Sequence, residues 1–334
     1  MDHFRLLLSF FISAILVTTT TSSIIYTNTQ CTTVTLEPCK RHPSFTNSIF
    51  CENISDFHTF VRVLRCGSKE NMQEVFLEKS TLEYLPLYVI DFCGYFFLNV
   101  KSVVLSKLLE GNVLIRLQQL HLDDVVIKNS SRTWEPLAIL EKLLRFSVSN
   151  MAIRVLDGHL VDHLTWKLES LVLESTNTTA LADTALEKFS MLEYVSIQHN
   201  DIAELKRSMF PTPARIKFFY FGHNKISSLP DDLFSEMPDL QHIALQGNLL
   251  SEIHVSTFRT VWNNLSNLHL DGNPMKCHCK MLWLAKKRGP HIFTGNCFAP
   301  KHQYGKPLKN LEARDFHCFK TKLHPKENML LPHS

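Results

Sequence analysis

The chain has 334 residues, 45% of them apolar and 20% charged, with 10 Gly, 14 Pro and a formal net charge of +3. This composition excludes a disordered or collagen-like chain and leaves room for one large or two ordinary folded domains.

At the start, "LLLSFFISAILV" (Leu6–Val17) is a 12-residue apolar run behind Arg5, ending in the small polar residues Thr18–Ser23. Such a run is too short to span a bilayer, so residues 1–23 are expected to be a secretory signal peptide, with an anchoring or buried helix as the alternative. No later segment reaches about 18 apolar residues, and "ENMLLPHS" does not resemble a lipid-anchor tail. A secreted, extracellular chain without a membrane span is the expectation.

Nine cysteines fall in two groups. Cys31, Cys39, Cys51, Cys66 and Cys93 lie early, Cys277, Cys279, Cys297 and Cys318 lie late, and the 183 residues between Cys93 and Cys277 contain none. That clustering suits disulfides in an oxidising compartment, closing the two ends of something different. Cys93 is the odd one out, as a buried thiol or a partner for Cys66. Sequons at Asn53, Asn129, Asn177 and Asn264 fit glycosylation on the same route.

The middle repeats itself. "LEYVSIQHNDIAEL", "IKFFYFGHNKISSL", "LQHIALQGNLLSEI" and "LSNLHLDGNPM" begin at Leu192, Ile216, Leu240 and Leu265, at spacings of 24, 24 and 25 residues. Apolar residues occupy positions one, four and six, and position nine is Asn200, Asn224, Asn248 and Asn273. Phe210, Phe234 and Phe258 follow eighteen residues after the first three starts. This L-x-x-L-x-L-x-x-N pattern predicts stacked short strands, each covered by its neighbours. The Asn amide is expected to bond backbone groups where the chain leaves the strand, and the Phe column to fill the convex side.

Upstream, rungs start at Leu168, Leu143, Leu117, Tyr95 and Met72, but their ninth residues include Thr176, Met151 and Val125, so the Asn ladder is lost. Nine rungs are expected in all, and a start at Tyr95 gives more even spacings than one at Val100.

After Asn273 come Cys277-x-Cys279, Cys297 and Cys318. Spacing alone allows three connectivities, and a zinc site from Cys277, His278, Cys279 and His291 is a rival. The pattern resembles the C-terminal cysteine cap of extracellular leucine-rich-repeat proteins, with Met275 where that family usually has an aromatic. The resemblance implies bridges Cys277–Cys297 and Cys279–Cys318. It also implies a right-handed α/β solenoid, a parallel concave sheet and ends closed by disulfides that involve Cys31, Cys39, Cys51 and Cys66. A narrower likeness is to secreted arthropod proteins resembling the non-catalytic subunit of shrimp luciferase. The implied division is a signal peptide (1–23), an N-terminal cysteine-containing cap (24–71), the repeats (72–273), the C-terminal cap (274–318) and a basic, disordered tail (319–334). "MLWLAKK" reads as a helix laying Leu282, Trp283 and Leu284 on the last rung.

In a strand rung, positions three, five, seven and eight face away from the core. In the regular half these positions include Tyr194, Phe218 and His242, then Tyr220 and His269, then His199 and His223. An aromatic, His-rich face with few charges is the expected protein-binding surface, against the plainer reading of a tolerated half-exposed face. His199 and His223 lack the carboxylates of a metal set, so no metal is expected, but they could make binding pH-sensitive.

From Pro274 onwards there are 12 Lys/Arg against 3 Asp/Glu. "AKKR" (Ala285–Arg288) is the densest point, readable as a solvated face, an acidic-glycan or membrane contact, or a processing site. Nucleic acid is not an expected partner of a secreted chain. G-x-S-x-G, the phosphate loop and H-E-x-x-H are all absent, so neither enzyme activity nor a cofactor is expected. A secreted recognition module, a non-catalytic subunit of an enzyme complex and a self-associating matrix scaffold are the candidate roles, and the oligomeric state is left open.

Overall fold

The computed structural model describes residues 36–68, 70–110, 116–128, 133–286, 288–316 and 318. The expected signal peptide, Cys31, Asn129, Lys287 and the basic tail lie outside the described residues.

One twelve-stranded sheet runs through residues 40–294. Lys40–Arg41 pairs antiparallel with Ser48–Glu52, and every later pairing in the sheet is parallel. The register is constant: Ile49, Val75, Leu98, Leu120, Phe146, Leu171, Val195, Phe219, Ile243, Leu268 and Phe293 form a single row. Nine of these are the fourth positions of the nine rungs, and the two end strands belong to the caps. All nine starts, from Met72 through Tyr95 to Leu265, are buried. Parallel neighbours need a crossover between them, and the return segments carry short helices such as Leu87–Phe92, Gly158–Val161 and Val255–Phe258. The result is a leucine-rich-repeat solenoid with one continuous core. A buried Leu contributes roughly 1.5–3 kcal/mol only when both neighbouring rungs are present to cover it.

Every rung turns at position eight through a left-handed residue. Lys79, Ser102, Asp124, Asn150, Ser175, His199 and His223 all have φ between 44 and 58°, and Gly247 and Gly272 have 66 and 70°. That conformation favours Gly, Asn, Asp and His, so the two histidines are in part turn residues.

The asparagines then secure the backbone. Asn224 Oδ1 accepts from Ile202 N at 3.0 Å, and its Nδ2 donates to Ile197 O at 2.8 Å and Phe221 O at 3.1 Å. Asn200, Asn248 and Asn273 likewise accept from the rung before and donate to it. Phe210, Phe234 and Phe258 are buried; Phe219 bridges Phe210 and Phe234 at centroid distances of 5.3 Å, and Phe258 lies 5.3 Å from Phe234.

Both caps are tied covalently. Cys39 bonds Cys51, Cys277 bonds Cys297 and Cys279 bonds Cys318, which leaves no zinc site at Cys277 and Cys279. Cys66 is also disulfide-bonded. Cys93 is in no disulfide, which removes the bridge to Cys66, and it sits half-buried at the end of helix Leu87–Phe92. Residues Cys279–Lys286 form a 3₁₀ helix that buries Met281 and Leu284; Leu282 and Trp283 are only half-buried against the core. The segment thus lies on the last rung as expected, Trp283 packing 4.7 Å from Trp262 and donating to Ile253 O. Met281 joins the inward side because a three-residue turn places positions 281 and 284 together. Glu252 carries the cap onto the last rungs, holding His254 Nε2 at 2.8 Å, His278 Nε2 at 3.0 Å and Lys280 Nζ at 3.5 Å. No helix among the described residues is long and apolar enough to cross a membrane.

Candidate functional site

The outer face of the sheet is built by alternation: position four goes inward, three and five outward. In three adjacent rungs those outward residues are rings. Tyr194 lies 5.6 Å from Phe218 and 5.4 Å from Tyr220, centroid to centroid, and Phe218 lies 6.1 Å from Tyr220. Phe218 stacks on His242 at 4.6 Å and 10°. All four are half-exposed, whereas Ser196 and Ala244 on the same face are small enough to be covered.

Phe218 and His242 cover each other's faces, whereas Tyr194 meets Phe218 tilted at 40° and Tyr220 edge to face at 86°. A partner therefore meets rings in mixed orientation, with phenol and imidazole groups among them. Burial raises the pKa of both Tyr194 and Tyr220, so they are neutral hydroxyl donors at physiological pH. Burial, helped by the nearby His269, lowers that of His242, which favours its neutral form.

Beside this cluster His199 and His223 stack face to face at 4.3 Å and 7°. His269 points its Nδ1 at Thr294 Oγ1, 3.2 Å away. No group of three or more His, Cys, Asp or Glu among the described residues is arranged to hold a metal ion. Between the ring cluster and the imidazole pair the space beside Gly222 is taken up by the Gln246 amide. Gly222 has no side chain at position seven, so Gln246 Nε2 reaches over it to Gln198 Oε1 at 3.2 Å. The Gln246 Oε1 atom is buried without a hydrogen-bond partner among the described residues.

A second ring cluster escaped the sequence reading. Phe76, at position five of the Met72 rung, lies 5.4 Å from both Phe45 and Phe97 and 4.5 Å from His42. Phe76 and Phe97 stand at outward positions five and three of the Met72 and Tyr95 rungs, whereas His42 and Phe45 precede the first rung and carry no repeat signal. A shallow trough of about 330 Å³ adjoins Phe97, lined by Asn99, His121, Arg145, Ser147 and Ser170. Of the sequons, Asn53, Asn177 and Asn264 are all exposed.

These features define a leucine-rich-repeat protein closed by a disulfide-bonded C-terminal cap. No family model matches the chain. It is 24% identical to keratocan of Gallus gallus over 265 residues, covering 75% of this chain and 71% of that one. Osteomodulin of Bos taurus is 21% identical over 243 residues, 70% of this chain and 56% of the relative, and nephrocan of Mus musculus 25% over 141 residues, 41% and 27%. The chain thus spans just over half of osteomodulin and about a quarter of nephrocan. Among solved structures, an internalin from Listeria monocytogenes matches with a TM-score of 0.45 and 19% identity over 67% of this chain and 66% of that chain.

Proposed function

We propose that this is a secreted binding protein that recognises a protein ligand through the outer face of its sheet, centred on Tyr194, Phe218, Tyr220 and His242. The observation that carries the reading is the contiguity of four half-exposed rings on three successive rungs. Aromatic residues are enriched where proteins dock, and a few of them supply most of the binding energy. The open sheet face offers recognition rather than an enclosed reaction chamber, which supports a non-enzymatic role. Disulfides at both ends suit an extracellular setting.

The test is capture from the native secretion with the full chain as bait, followed by measurement of Kd for the partner identified. Phe218→Ala with Tyr220→Ala is expected to weaken that Kd by about 30-fold or more, the cost of losing a hot spot of about 2 kcal/mol. An unchanged Kd ends this reading. A stoichiometric enzyme as the captured partner would instead identify a non-catalytic subunit, and a homodimer with no other partner a matrix scaffold.

A further inference from the structure

The repeats and the C-terminal cap differ in charge balance. Residues 72–273 carry 17 Lys/Arg against 24 Asp/Glu, and several lysines there are paired from rung to rung, among them Lys79 with Glu52, Lys206 with Asp183 and Lys225 with Asp201. In the C-terminal cap both described acids are already taken, Asp315 by Lys306 at 2.6 Å and Glu312 by Arg314 at 2.6 Å, and Lys280 is held by Glu252. Lys276, Lys286, Arg288, Lys301 and Lys309 are exposed and make no ion pair among the described residues.

These five charges sit on one small rigid body. The segment 274–318 is closed by two disulfides, and Lys276 pairs with Ala299 in a parallel strand, two residues before Lys301. A unit of this length has a radius of gyration of roughly 9 Å, so one extended polyanion can touch several of these charges at once even though salt largely screens them from one another. On the same short loop Phe298 and Tyr304 are 57% and 70% exposed and pack edge to face at 5.9 Å. Lys301 lies between these rings in sequence, and the cap's two described carboxylates are already in ion pairs. Exposed rings and ammonium groups so placed are the complement of a chain that alternates anionic groups with apolar ring faces.

We infer that the C-terminal cap binds a sulfated polysaccharide through Lys276, Lys301, Phe298 and Tyr304, independently of the aromatic face of the repeats. A lipid surface fits less well. It would ask for an amphipathic helix or a second anchoring signal, and the large apolar side chains exposed among the cap's described residues are Ile292, Phe298 and Tyr304.

The experiment uses the full chain and immobilised heparin in buffer with 0.15 M NaCl. Retention is expected, with at least a tenfold loss of affinity in Lys276→Glu/Lys301→Glu and a loss of about threefold or more in Phe298→Ala/Tyr304→Ala. Lys206→Glu/Lys225→Glu changes net charge equally on the repeats and should leave binding within twofold. Thermal melts of all variants check folding, which these exposed positions should not disturb. Chemically desulfated heparin should not be retained, and Phe218→Ala/Tyr220→Ala should bind like the parent, which separates this site from the protein-binding face. Passage without retention, equal losses from both charge-reversal pairs, no effect of removing the rings, or capture by phosphatidylserine vesicles but not by heparin would each overturn the assignment.

Discussion

The upstream and downstream rungs meet one backbone requirement by two routes. From Tyr194 on, strands are three residues long, and a side-chain amide at position nine satisfies the groups beyond the turn. Upstream, strands are five residues long, and a second set of short parallel strands does the same work. Thr81–Leu82, Val104–Leu105 and Val126–Ile127 form one such sheet, and Val155–Leu156 with Ala180–Leu181 another. Val104 N donates to Ser80 O and Val126 N to Val103 O, both at 2.9 Å. Once the backbone pairs with itself, position nine is free to be apolar, as at Val103 and Val125, both buried. Bonds of the same kind continue downstream, Lys225 N to Ile202 O at 2.8 Å and Leu249 N to Ile226 O at 2.9 Å. Loss of the Asn motif therefore does not mean loss of the repeat: upstream the second ladder widens into two-residue strands.

The largest losses are expected where the two halves share the same physics, the core row. Phe219→Ala should cost about 3–5 kcal/mol and Leu98→Ala about 2–5 kcal/mol, since both residues are fully buried between rungs. Urea unfolding of each variant measures this. A loss below about 1 kcal/mol in either half would mean that the half is not held by its inward row. Position nine then separates them. Asn224→Val should cost about 2–4 kcal/mol by stranding Ile202 N and the carbonyls of Ile197 and Phe221. The same residue type is native at Val103 and Val125. A neutral Asn224→Val would refute the division of labour between amide and second ladder.

Ser80 is a mixed case. At position nine of the Met72 rung it accepts from Ile54 N at 2.9 Å and donates to Glu78 O at 2.6 Å, a shorter version of the asparagine arrangement. Ser80→Ala is expected to cost about 1–2 kcal/mol in the same assay.

The sequence carries these elements unequally. The inward row was legible across all nine rungs because a three-point apolar pattern at a period of about 24 residues has few accidental matches. The Tyr95 start follows from it, with the added detail that its phenol donates to Leu64 O of the N-terminal helix Phe57–Ser68 at 2.8 Å. Two-residue second strands leave no periodicity to read, and a serine at position nine looks like any other polar residue. The ring cluster at Tyr194, Phe218, Tyr220 and His242 came from position counting, whereas Phe45 and His42 precede the first counted rung. The Gln198–Gln246 contact spans 48 residues and depends on the absence of a side chain between them, which no local window records.

Protonation offers a milder test of the two halves, with one histidine in each. Burial lowers the pKa of His121 in the upstream trough, outweighing the pull of Asp123, and also that of His242 in the ring cluster. Once pH falls through the ordinary His value of 6.5, the unfolded chain binds more protons than the folded one, so stability declines on acidification. The carboxylates of Glu52, Glu252 and Asp315 are held below their ordinary range and add their losses only at lower pH. Urea midpoints should therefore drop between pH 7 and pH 5, and His121→Asn or His242→Asn should each flatten part of that drop. A midpoint that rises over this interval contradicts the assignment.

The smallest expected effect lies at Gly222. A Cβ added there would come within 2.4 Å of Gln246 Nε2 and 3.0 Å of Gln198 Oε1. Both atoms are ends of flexible side chains, so the glutamines can swing apart instead of forcing the backbone to move. Breaking one half-exposed amide contact costs about 0.5–1 kcal/mol, and Gln246 Oε1 gains access to water, which offsets part of that. Gly222→Ala should thus lower stability by less than about 1 kcal/mol. It also displaces the Gln246 amide that lies between the ring cluster and the His199–His223 pair. If a ligand bonds to the paired glutamines, affinity should fall far more than stability does; equal small changes would confine recognition to the rings.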